Sequence, residues 1–160
     1  MKLSKNFSLE ELTRSATATK LGLDNTPDDE HLKNLQVVVD EIAQPLRDHF
    51  GKPVRINSGY RSPALNEAIG GSTKSQHSKG EALDLEIDGV SNMEVAGWIS
   101  ENCDYDQVIL EFYNPADGPN SGWVHASCKA ILSENRERKL IALKDGKKTV
   151  YTLANEFIAN

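Results

Sequence analysis

The chain has little cysteine, little histidine and no long apolar run. Cys103 and Cys128 are its only two cysteines. That is too few for a disulfide framework, and both are expected to be small buried hydrophobes. No apolar stretch approaches the ~18 residues that mark a membrane span. Lysine and arginine total 18 against 24 acidic residues, a net charge of −6, with no basic cluster. A nucleic-acid partner is therefore not expected. The N-terminus, Met1 to Ser8, carries positive charge without a hydrophobic segment behind it, so it predicts cytoplasmic synthesis without a signal peptide. No repeat, low-complexity tract or linker is present. With 38% hydrophobic and 26% charged residues, residues 1–160 are expected to form a single domain with its own core, and a monomer.

What is present reads as α+β. Ser8-Leu9-Glu10-Glu11 is a capping box that starts a short helix, whereas the polar stretch Thr13 to Asn25 gives no clear assignment. Thr26-Pro27-Asp28-Asp29 predicts a stronger helix start. Leu32, Leu35, Val39, Ile42 and Leu46 follow as one apolar stripe; Pro45 is expected to kink or divide that helix and Gly51 to end it. Further helices are predicted from Ser62-Pro63 to Ile69 and from Ser91 to about Asn102. Strands are predicted at Pro53–Asn57, Ala82–Ile87, Asp106–Phe112 and Gly122–Cys128. A final hairpin, within 138–153, turns at Asp145-Gly146. The core is placed at about 7–128, around a central antiparallel sheet with helices packed on it.

Four histidines are available. His31 lies among charged residues, on an expected solvated face, and His49 in a last helical turn, where a cationic ring suits the dipole. His77 and His125 have different surroundings. His77 sits in a polar loop seven residues before Asp84. On the strand Ala82–Ile87, Leu83, Leu85 and Ile87 take one face and Asp84 the other. On the later strand Val124, Ala126 and Cys128 take the apolar face, and Trp123, His125 and Ser127 the opposite one. Singly, each of these three residues is more often structural. Together, two imidazoles and a carboxylate make a ligand set for one catalytic metal ion, zinc by default for mixed nitrogen and oxygen donors, with other divalent ions open.

A hydrolytic metal site also needs a general base. If the loop from Tyr113 to Ser121 is symmetric, His125 pairs near Ile109 and Glu111 falls one diagonal step away on the same face. A one-residue slip would send Glu111 to the other face, where it would only cap a strand end. Asp104, Asp106 and Glu86 are poorer candidates by position.

Ser58-Gly59-Tyr60-Arg61-Ser62, then Ser75-x-His77 with Gly80-x-Ala82-x-Asp84, then Trp123-Val124-His125, resemble the D-alanyl-D-alanine carboxypeptidase family of zinc peptidases, related to Hedgehog-type zinc domains. The resemblance runs from about Phe7 to Ser127. It implies a small α+β domain with a central antiparallel sheet. It also implies one zinc ion on His77, Asp84 and His125, an arginine contacting substrate at Arg61, and a polar residue at the rim of the site at Ser75. Many members carry an acidic base three residues before the last histidine; here that position is Gly122, so the base is sought at Glu111. Tyr60, Trp123 and Asn114 are further candidates for lining a substrate groove, with plain packing as the competing role.

The resemblance implies hydrolysis of peptidoglycan stem peptides, at the D-Ala-D-Ala bond or within the stem as in L-alanyl-D-glutamate endopeptidases. Bacteriophage endolysins are among such proteins, and action on the cell wall after release at lysis, or as a virion component, is the expectation. The alternative, supported by Gly122, is an inactive zinc-containing wall-binding or virion structural module.

Overall fold

The protein was analysed as a computed structural model, which describes residues 1–157. Its α+β character agrees with the sequence reading, and a six-stranded sheet carries the site. The strands are β1 (Arg55–Ser58), β2 (Ala82–Glu86), β3 (Gln107–Glu111), β4 (Trp123–Ser127), β5 (Arg138–Asp145) and β6 (Lys148–Leu153). They lie in the order β1-β2-β4-β3-β5-β6. Among the described residues no helix is long and apolar enough to cross a membrane.

The sheet is mixed rather than wholly antiparallel, because β3 and β5 run parallel. The crossover explains this. Ser127 at the end of β4 lies opposite Gln107 at the start of β3. The other edge of β4 is taken by β2. The chain therefore crosses the start of β3 and enters its free edge from the same end. Asp106, fully buried, pins that crossing. Its carboxylate accepts from the Arg136 backbone at 2.8 Å and from the Arg136 guanidinium at 2.7 Å, and its carbonyl accepts from Arg138 N–H. Burial alone would raise the Asp106 pKa, but the Arg136 hydrogen bonds outweigh it and hold the carboxyl below its ordinary value.

Helices α1 (Leu9–Thr13), α2 (Ala16–Leu21), α3 (Asp29–Val38), α4 (Gln44–Phe50), α5 (Pro63–Ala68) and α6 (Asn92–Asn102) complete the fold. Ser8 caps α1, as its capping box predicts, and Ser15 caps α2 inside the unassigned polar stretch. Asp28, not Thr26, caps α3, accepting from His31 N–H at 2.8 Å. The capping role thus falls two residues later than the Thr-Pro pair indicates; Thr26 N–H is held instead by the Asp24 side chain. Before Pro45 the helix widens into a π turn, Val39–Ala43, where Gln44 N–H reaches back to the Val39 carbonyl. That turn divides the helix while keeping Val38, Val39, Ile42 and Leu46 fully buried.

The core lies between these helices and one sheet face. Leu83, Leu85, Ile87, Val108, Val124 and Ala126 are all fully buried there. Truncating one of the leucines to alanine would cost about 2–5 kcal/mol. The opposite face is left for polar chemistry, and strand alternation delivers Asp84, Glu111 and His125 to it.

Candidate metal centre

Register brings two donors together. Asp84 on β2 is the direct cross-strand partner of His125 on β4. The third donor comes from a short 3-10 turn, Gln76–Lys79, that precedes β2. Ser75 caps this turn, its Oγ accepting from His77 N–H at 3.3 Å. Gly80 ends it with φ +76°, and a Cβ there would crowd the His31 carbonyl, so glycine is needed on both counts.

The rings are oriented by what they touch. His77 Nδ1 donates to the Gly59 carbonyl at 2.8 Å, which turns Nε2 toward Asp84 Oδ1 at 3.2 Å. His125 Nδ1 lies 3.2 Å from the same oxygen. One ligand atom from each of the three residues falls within 4.8 Å of the others. Burial would raise the Asp84 pKa, yet the His77 and His125 rings outweigh that and hold the carboxyl far below the ordinary range. A buried carboxylate kept ionised between two imidazoles, one with its outer nitrogen anchored to a backbone carbonyl, is a donor set that fits zinc. Bound there, the ion supplies Lewis acidity and activates water near neutral pH.

Gly59 makes the anchor possible. A Cβ at this position would run into the backbone of Leu12, whose carbonyl accepts from Tyr60 N–H at 2.8 Å. The loop can thus press against α1 while its own carbonyl meets His77.

The three donors open onto a cleft of about 530 Å³, within the range of ligand sites. Arg61 lies beside it, Nη2 3.6 Å from Asp84 Oδ2 and Nε 3.2 Å from Ser58 Oγ, with its backbone N–H on the His77 carbonyl. Ile109 pairs with His125 and Glu111 with Trp123, so Glu111 stands one diagonal step from His125 on the metal face and lines the cleft. Burial, and next the Asp84 charge, push its pKa up to about 6 against the opposing pull of His125, the Trp123 indole and Arg61. The Trp123 N–H, shielded from solvent, has no hydrogen-bond partner of good geometry.

Ser75 and Trp123 also line the cleft, whereas Tyr60 and Asn114 do not. Tyr60 is buried behind the site, and its hydroxyl meets His31 Nδ1 at 2.9 Å. His31 is consequently packed on Tyr60 rather than solvated, with ring centroids 5.5 Å apart. Asn114 is exposed and caps the turn Pro115–Asp117. His49 stacks on Trp98 at 4.6 Å, away from the cleft. Of the poorer base candidates, Asp106 is consumed by Arg136, and Glu86 accepts from Asn57 at 2.7 Å. The wall residues Gln107, Arg138, Leu140 and Tyr151 were not among the sequence candidates. Their alternation along β3, β5 and β6 carries the signal, but it becomes readable only once the parallel pairing is known.

No curated protein matches the chain. A family model described as peptidase M15, a family of zinc-dependent peptidases, matches residues 5–116. The match takes in Arg61, His77, Asp84 and Glu111 and ends before Trp123 and His125, so geometry rather than the match connects His125 to the other two donors. Matched over most of its length, the chain belongs to the peptidase M15 family of zinc metallopeptidases, the D-Ala-D-Ala carboxypeptidase type.

Proposed function

We propose that this protein hydrolyses peptide bonds in the stem peptides of bacterial peptidoglycan, as a D,D-carboxypeptidase or an L-alanyl-D-glutamate endopeptidase, with one zinc ion on His77, Asp84 and His125. The observation that carries the reading is the meeting of this donor triad, Glu111 and Arg61 in one cleft. Glu111, with its pKa raised to about 6, is poised to take a proton from the attacking water near neutral pH and pass it to the leaving amine. Arg61, its backbone tied to His77 and its guanidinium beside Asp84, holds a substrate carboxylate or the carbonyl oxygen as negative charge develops. Ser75 shapes the rim through the turn that carries His77.

The test is mass spectrometry of soluble products after zinc-loaded protein is incubated with purified peptidoglycan. Loss of one terminal alanine identifies a carboxypeptidase. Release of longer peptides identifies an endopeptidase. No product, with zinc bound, would overturn the hydrolytic reading in favour of a wall-binding or virion structural module, the reading that the absence of an acid at Gly122 favours.

A further inference from the structure

The C-terminal hairpin, β5 and β6, lies outside the residues that match the family and contributes no metal donor. Its placement nonetheless extends the metal-bearing face. Through the parallel pairing, Leu140 stands beside Ile109 and Ala142 beside Glu111. Ile109, Leu140 and Ala142 form a small apolar cluster separate from the main core, on the cleft side of the sheet. Tyr151, paired with Ala142 on β6, rises over this floor with its ring largely exposed. The small side chain of Ala142 leaves room for it to line the cleft that also holds Glu111 and His125.

Charge adds a second observation. The cleft of this net-acidic chain is lined by three cations, Arg61, Lys74 and Arg138. Arg61 has Asp84. Among the described residues, neither Lys74 nor Arg138 has a carboxylate within ion-pair distance. Arg138 is exposed, two residues before Leu140 on the same face of β5, and its backbone is held by the Asp106 carbonyl. Its guanidinium is thus presented from a rigid strand rather than a loose end.

We infer that the hairpin is the substrate-selecting wall of the cleft: Arg138 binds a carboxylate of the peptide about two residues from the scissile bond, and the floor of Ile109 and Leu140 receives the small apolar side chain beside that bond. The spacing follows from sheet geometry. Arg138 lies two strands and two residues from His125, roughly 12 Å between backbones. The arginine side chain spans part of that distance and leaves about two extended residues for the substrate. A guanidinium accepts this role better than an ammonium because its planar fork matches a carboxylate.

The inference rests on the peptidase reading but is tested by binding. For cleavage at D-Ala-D-Ala, the carboxylate at this distance is the α-carboxylate of the glutamate, two residues from the D-Ala whose carbonyl is attacked, so the probes are a synthetic stem pentapeptide with that group free and the same peptide with it as carboxamide. Each is titrated calorimetrically into zinc-loaded protein. The wild type should bind the acid about tenfold more tightly than the amide, the scale of one charge-assisted hydrogen bond. The preference should shrink as salt is raised. Arg138→Gln should lose it with zinc content retained, and Arg138→Lys should keep part of it. A wild type that does not discriminate, or an Arg138→Gln variant that discriminates as well as wild type, overturns the inference. Discriminating binding without cleavage would instead overturn the peptidase reading and leave selection by Arg138 standing; cleavage without discrimination would do the reverse.

Discussion

The backbone carbonyl of Glu111 fills the space that any side chain at Gly122 would need. Gly122 also has φ +67°, a conformation in which a side chain is strained. The position where the resemblance leads one to seek an acid is therefore closed by the residue whose own carboxylate enters the cleft. Gly122→Glu should destabilise the fold by about 2 kcal/mol or more, read as a lowered midpoint in urea unfolding. It should add no activity. A variant as stable as wild type would show that the entry to the hairpin can rearrange.

Glu111→Gln keeps the shape of the side chain and removes the carboxylate proposed as the base. Hydrolysis should fall by about 10²–10⁴-fold, while zinc content measured by atomic emission stays at the wild-type level. An equally active variant would place proton transfer on another group.

The same substitution has a consequence for stability, with a definite sign. The folded protein raises the Glu111 pKa from 4.5 to about 6. A raised carboxyl binds its proton more tightly in the folded state, so its contribution to stability is complete below pH 4.5 and is lost as pH rises to about 6. Zinc-free Glu111→Gln should then be more stable than zinc-free wild type at pH 7, by on the order of 1 kcal/mol once solvent screening of this half-buried group is allowed for. The two should converge near pH 4. Thermal unfolding of both proteins across this range checks the prediction, and a gap that widens toward acid would contradict it.

Gly59→Ala probes the support of His77. The added methyl would meet the Leu12 backbone and push away the carbonyl that orients the ring. Zinc affinity should fall by about 10–100-fold, measured by competition with a chelating dye. Unchanged affinity would mean that the Gly59 carbonyl does not set the ring.

His125→Ala tests the donor that the family match does not cover. Leaving two protein donors, it should abolish stoichiometric zinc binding while circular dichroism retains the native spectrum. Retention of one tightly held zinc would remove His125 from the ligand set.

Much of this molecule follows from local pattern. Period-two alternation in Ala82–Glu86 and Trp123–Ser127 separates Asp84 and His125 from the core leucines and valines, because successive side chains on a strand point to opposite faces. Ser8, Ser62 and Ser91 announce their helices by capping chemistry that acts within three residues. The diagonal placement of Glu111 beside His125 likewise follows from a symmetric hairpin. What local pattern could not carry is pairing between distant segments. The burial of Tyr60 against His31 joins segments far apart in the chain, and the parallel entry of β5 beside β3, with the reach of Arg138 and Tyr151 into the cleft, depends on which edges were already occupied and on the Asp106–Arg136 contact at the crossover. The sequence by itself determined which residues are chemically able to hold zinc and share a face. Only the tertiary structure decided what surrounds them, because non-local contacts are selected by the packing of the whole sheet and leave no periodic trace along the chain.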